Sequence, residues 1–217
     1  MGKPVQQCGK KMARNAGILN RIKNYLPIPS LCTLYNTLIF PHYSYGLEVW
    51  GNCNKRFLKR IITIQKKAVR SICKSHWLSH TEPRMRKLNI LKIADQYHLQ
   101  CMSLTHDMLT GANPDIYDLT STQNGQREMS LRSTTERPQD LRLPISVTTH
   151  PCKNFLSYIS QSWNSLPLEV KNSRSRKSFK LQLKKLLIDQ YHTMVQCLNQ
   201  RCTDRKYHQA SNNPAAN

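Results

Sequence analysis

Apolar residues recur every three or four positions over much of the first 110 residues. In KKMARNAGILNRIKNYL, residues 10–26, Met12, Ala16, Leu19, Ile22 and Leu26 fall on one side of a helix. Pro27 and Pro29 are expected to end it, because proline lacks an amide hydrogen and crowds the turn before it. Ser30 is the expected N-cap of the next helix. LCTLYNTLIFPHYSYGLEVWG then reads as a buried helix, kinked or split at Pro41. In KRFLKRIITIQKKAVRSICK, residues 55–74, Phe57, Leu58, Ile61, Ile62, Ile64, Ala68, Val69 and Ile72 fall on one side of a third helix. Ala94, Tyr97, Cys101, Leu104 and Met108 predict a fourth, which Gly111 should stop.

Residues 111–150 shift to Ser, Thr, Asn, Gln, Gly and Pro and read as a connector ordered only in part. Helical order returns in FLSYISQSWNSLP and SFKLQLKKLLIDQY. No alternating run is long enough to require a sheet. The expected fold is mostly α, a helical bundle with a polar connector and a smaller C-terminal helical segment. Its divisions are an unstructured start over 1–9, a basic helical domain over 10–110, the connector over 111–150, the C-terminal segment over 151–192 and a disordered tail over 193–217.

Charge changes this picture. The chain has 33 Lys and Arg against 12 Asp and Glu, a net +21 over 217 residues. A balance so one-sided predicts a polyanionic partner, with nucleic acid first and an anionic membrane surface second. The longest near-apolar run, LCTLYNTLIF, is half of the roughly 20 residues that span a bilayer, so no membrane is expected. The N-terminal 30 residues lack a signal-peptide pattern, and Gln6 occupies the place where a myristoylation signal has Ser or Thr. An intracellular chain, nuclear or cytoplasmic, with its eight cysteines as free thiols is the expectation.

The cations are not spread evenly. On a wheel of 100° per residue, Lys55, Arg56, Lys59, Arg60, Lys66, Lys67, Arg70 and Lys74 all lie within one arc opposite the apolar side, with no carboxylate in the segment. Residues 171–185 add Lys171, Arg174, Arg176, Lys177, Lys180, Lys184 and Lys185, again without an acid. Arg174, Arg176 and Lys177 fall near an expected helix start, where cations are disfavoured unless an anion sits among them. A solvated face ordinarily interleaves Glu with Lys, so both segments point to phosphate contacts. Tyr43, Tyr45, Trp50 and Trp77 lie near these segments as base-stacking candidates, although packing in the core is the simpler expectation.

Catalytic chemistry is harder to find. Two-metal sites need close carboxylates, and no two acidic residues are adjacent here. Asp115 and Asp118, in NPDIYDLT, fit local capping better. There is no Gly-rich phosphate loop and no Gly-x-Ser-x-Gly elbow. Cys53, Cys73, His76 and His80 could supply four zinc ligands, but the gap between the cysteines fits no common finger. Buried thiols are the simpler reading, and Cys73, His76 and His80 stay only as weak candidates. Cys197, Cys202 and His208 are weaker, and no cofactor is expected.

The order of segments carries further information. GILNRIKNYLP, LYNTLIFPHYSYGLEVWG, IQKKAVRSI, SHTEPRMRKLNILKIAD and SWNSLPLEVKNS followed by SFKLQLKKLL resemble the C-terminal part of non-LTR retrotransposon reverse transcriptases, the jockey-like LINE elements in particular. The resemblance covers roughly residues 9–191. It implies that residues 10–110 are thumb-like helices behind a palm, and that a polymerase domain with paired aspartates lies upstream and is a partner. It also implies a non-catalytic role in holding RNA or DNA template and primer. Arg84 stands where relatives usually carry an apolar residue, and the glycine often found ahead of the tryptophan is absent from SYISQSWNSLP. Other readings are a module that packs its apolar faces on the polymerase domain, or a decayed copy without retained function.

Overall fold

The computed structural model describes residues 2–52, 55–110, 141 and 155–191. The stop at Gly111, the connector apart from Leu141, Asp115, Asp118, Cys53 and the tail with Cys197, Cys202 and His208 lie outside the described residues. Among the described residues the regular structure is helical: α1 (Gly2–Ile22), α2 (Ile28–Leu38), α3 (Phe40–Ser44), α4 (Leu47–Trp50), α5 (Lys55–Ile72), α6 (Glu82–Lys87), α7 (Ile93–Leu109), α8 (Phe155–Asn164), α9 (Leu168–Lys171) and α10 (Arg176–Asp189). None of them is long and apolar enough to cross a membrane.

Two boundaries differ from the sequence expectation, and a third agrees with it. Helix α1 begins at Gly2, so the start expected to be unstructured is helical. Ser30 lies inside α2, which is entered from Pro27 in an extended conformation and carries Pro29 in its first turn. Proline is tolerated there because first-turn amides have no partner within the helix. Pro41 does split its segment: α2 stops at Leu38, and α3 restarts at Phe40 with Pro41 in its first turn.

Helices α1 and α5 run parallel, side by side. Gly9 lies against Arg60 and Ile61, and Ser71 Oγ donates to Asn20 Oδ1 over 3.1 Å, so residues 51 or 52 positions apart meet along the pair. Their apolar sides, Met12, Ala16 and Leu19 on α1 and Ile61, Ile64, Ala68 and Ile72 on α5, are buried in a common core with Leu31 and Tyr35 of α2. Two glycines fit α4 between its neighbours. Gly46 takes a left-handed φ of 63°, and a Cβ on Gly51 would overlap the ring of Tyr97.

Helix α7 is buried almost all round, so the five-residue pattern read from sequence understates it. Gln96, Ser103, Thr105, His106 and Asp107 are buried along with its apolar residues, while Ala94 is exposed. The C-terminal segment packs on it. Phe179 of α10 is fully buried, its ring centroid 4.6 Å from that of His106 and 5.9 Å from that of Trp163 on α8. Asn164 grips the backbone of Leu141 from both sides, accepting from its N–H at 2.8 Å and donating to its carbonyl at 2.9 Å. Tyr191 closes the segment: its hydroxyl bonds the Asp95 carboxylate and accepts from the Lys92 amide, and its carbonyl accepts from Arg86.

The α7–α8 contact has a pH dependence. His98 Nδ1 and the Tyr158 hydroxyl are 3.1 Å apart, and burial holds the His98 pKa below its ordinary value of 6.5. A base depressed on folding contributes stability that is complete above its unfolded value and is lost as pH falls. Denaturation by urea should therefore become easier as pH drops from about 6.5, and the His98→Gln variant should lack that step. An identical pH profile for variant and parent would remove His98 from the account.

Candidate functional site

Helix α5 combines eighteen residues of opposite chemistry on two sides, and the core fixes which side faces out. One buried polar residue pins its rotation. Gln65 Nε2 donates to the Tyr35 hydroxyl at 3.1 Å and to the Leu91 carbonyl at 2.8 Å, while the Tyr35 and Tyr43 hydroxyls are 3.0 Å apart. Rotating α5 would strand these buried groups, at a cost of about 1–3 kcal/mol each. Opposite Gln65, Arg56, Lys59, Arg60 and Lys67 are exposed, and Lys66 and Arg70 are half-buried; Lys74, expected on the same face, is exposed but lies beyond the end of α5 at Ile72. The side chain of Lys55 lies outside the described residues. Among the described residues, Lys59, Arg60, Lys66, Lys67, Arg70 and Lys74 form no salt bridge.

Arg70 differs from its neighbours. Its Nε donates to the Ser79 carbonyl at 2.9 Å, and burial, then the charge of Arg84, holds its pKa below the ordinary value. It clasps the 74–80 turn to the end of α5, where Lys74 adopts a left-handed φ of 48°. That turn carries Trp77, 72% exposed.

A second basic strip, missed in the sequence reading, lies on α1. Lys10, Lys11, Arg14 and Arg21 are exposed, and on a wheel they fall within 100° of one another, opposite Met12, Ala16 and Leu19. Because α1 and α5 are parallel and share a core, both strips face outward from the pair. The signal was available: the first acidic residue in the chain is Glu48.

The α10 cluster is not a single outward strip, which corrects the sequence reading. Ser175 caps α10 by accepting from the Ser178 amide. The anion expected among the cations at its start is the protein's own: Arg176 Nη1 is 3.0 Å from the buried Asp107 carboxylate. Lys171 is buried and donates to the Asn164 carbonyl at 3.2 Å. Arg174 and Lys177 are exposed, and Lys180 and Lys184 are half-buried beside a groove between α10 and the α2–α3 pair.

The stacking candidates separate cleanly. Tyr43 is buried, and Trp50 is half-buried with its Nε1–H donating to the Tyr45 carbonyl. Tyr45 and Trp77, 88% and 72% exposed, are not core residues. Cys73, His76 and His80 are not gathered into a metal site; among the described residues no group of three or more ligating side chains could hold an ion. Cys73 is a half-buried thiol whose pKa burial raises, and His76 Nδ1 accepts from the Leu78 amide at 3.3 Å. Cys8, Cys32, Cys73 and Cys101 are free thiols.

The chain is similar to two RNA-directed DNA polymerases of Drosophila melanogaster. The probable polymerase from transposon X-element is 25% identical over 138 residues, which is 63% of this chain and 14% of that protein. The polymerase from mobile element jockey is 27% identical over 92 residues, 42% of this chain and 10% of that protein. This chain thus contains a region related to non-LTR retrotransposon reverse transcriptases, and the matches span about a seventh and a tenth of the lengths of these relatives. No family model and no solved structure matches it.

Proposed function

We propose that this retrotransposon-polymerase-related chain binds RNA or DNA by neutralising backbone phosphates along the paired strips of α1 and α5, as a non-catalytic part of such a polymerase. The observation that carries this reading is the positive face of α5, held outward by the buried Gln65 contacts, on which Lys59, Arg60, Lys66 and Lys67 form no salt bridge among the described residues. Charge of one sign without compensating acids repels itself, and condensing it against phosphates releases counterions from the nucleic acid. Arg56, Lys59, Arg60, Lys66 and Lys67 with Lys10, Lys11, Arg14 and Arg21 form the proposed surface; Arg70 is assigned to holding the 74–80 turn. Arg174 and Lys177 extend the proposal to the start of α10, whereas Arg176 is occupied by Asp107.

The test is a titration of labelled RNA and DNA of unrelated sequence across salt concentrations. The reading requires a log–log slope of several units, each contacting cation adding about 0.9 on duplex and about 0.7 on single strands. Affinity that does not change with salt would refute it. Trp77, at the end of the α5 strip, is proposed to stack on an unpaired base. Trp77→Ala should weaken single-strand binding by about 1–3 kcal/mol while leaving the salt slope unchanged. Quenching of tryptophan fluorescence on binding offers an independent readout.

A second reading, docking on an upstream polymerase domain, is favoured by Tyr45 and Val49, 88% and 75% exposed on neighbouring turns. Tyr45→Ser with Val49→Ser should improve solubility of the isolated chain without changing nucleic-acid affinity if that surface serves a protein partner.

A further inference from the structure

A groove of about 470 Å³ opens between α10 on one side and α2 and α3 on the other, lined also by residues 89–91 and by Gln96 and Leu99 of α7. Its volume falls within the usual range for small-ligand sites. Lys177, Lys180 and Lys184 line it from one face of α10, spaced three and four residues apart; among the described residues no acid lines it, although Asp107 and Glu48 lie near enough to act on the charge of Lys180. Lys180 and Lys184 are half-buried; for both, burial is the main cause of a pKa below the ordinary lysine value. Three ammonium groups around one concavity leave a positive charge that an anionic ligand would relieve. Phe40 is among the lining residues, its ring held edge-on by Tyr43 at 5.4 Å between centroids, and the exposed Asn36 and Asn89 line the groove as well.

We infer that this groove binds a nucleoside phosphate, the three lysines holding its phosphates and its base lying against Phe40 within reach of the Asn36 and Asn89 amides. The parts match the ligand one by one. Lysine is a phosphate binder acting as a point charge, a fixed aromatic ring accepts a base of any identity, and a side-chain amide offers paired donor and acceptor to a base edge. The lysines span about 10 Å of helix, a length suited to a short phosphate chain. The nucleotide is either free or an unpaired unit of a bound strand. The inference does not depend on the α1–α5 surface.

The full chain is titrated calorimetrically with ATP, AMP and tripolyphosphate. ATP should bind at least about tenfold more tightly than either of the others, each of which lacks part of the recognised set. Lys177→Gln, Lys180→Gln and Lys184→Gln together should weaken ATP by about a hundredfold or more, and Lys177→Gln alone, at an exposed position, by up to about tenfold. Phe40→Leu should weaken ATP but leave tripolyphosphate unchanged. Helical circular dichroism and the urea denaturation midpoint serve as folding controls, and Lys59, Lys66 and Lys67→Gln should leave ATP affinity intact. Displacement of ATP by a single-stranded oligonucleotide in that α5 variant identifies a unit of a strand; no displacement identifies free nucleotide. The inference is overturned if ATP gives no binding at millimolar concentration, if tripolyphosphate equals ATP and Phe40→Leu is silent, if the exposed lysine variant binds unchanged, or if an acidic peptide outcompetes ATP.

Discussion

Replacing Lys59, Lys66 and Lys67 by glutamine should cut affinity for RNA and DNA of every sequence together and flatten the salt slope by about 2.7 on duplex and about 2 on single strands. Extrapolated over one decade of salt, the duplex change corresponds to a loss on the order of several hundredfold near 0.1 M. The effect is large because the three side chains form no ion pair among the described residues. Their removal leaves no carboxylate newly exposed and no buried group unsatisfied, so stability should be nearly unchanged. Replacing Lys10, Lys11 and Arg14 by glutamine should act in the same direction, through the neighbouring strip. Unchanged affinity with the helical signal intact would take α5 out of the interface. A loss confined to one sequence would mean that these groups read bases instead of phosphates.

What the sequence disclosed depends on how far apart the deciding residues lie. The α5 face was legible because a single helical segment carries both chemistries, and their angular separation is fixed by 3.6 residues per turn. The break at Pro41 was legible for the same local reason. The α10 cluster was misread because its compensating anion, Asp107, belongs to another helix 69 positions earlier. Ser30 was misread as a cap because proline at the first turn of a helix looks, in sequence, like proline that stops one. The buried character of α7 was underread because its interior polar residues find partners that a one-sided apolar pattern does not show: Ser103 and Thr105 donate to carbonyls of α7 itself, and His106 Nε2–H donates to the Ser173 carbonyl at 2.9 Å. The α1 strip could have been read from the absence of any acid before Glu48, but only the parallel packing brings it alongside α5.

Phe179→Ala should be the most destabilising single change in the C-terminal segment, lowering unfolding free energy by about 3–5 kcal/mol. Phe179 is fully buried between the His106 and Trp163 rings, so truncation loses transfer energy, aromatic contact and packing at once. Against a typical domain stability of about 5–15 kcal/mol the loss is a large fraction. Urea denaturation should show it as a lowered midpoint, and Phe179→Leu, which keeps most of the volume, should cost much less. The consequences for the two proposed sites differ. Loosening α10 removes the lysine wall of the groove and draws Arg176 away from the buried Asp107 carboxylate, so ATP binding should be lost. The α1–α5 pair is held by Met12, Leu19, Ile61 and Ala68, none of them on α10, and its salt-dependent strand binding should survive. A loss under about 1 kcal/mol would mean that α10 is not docked on α7 and α8 as described.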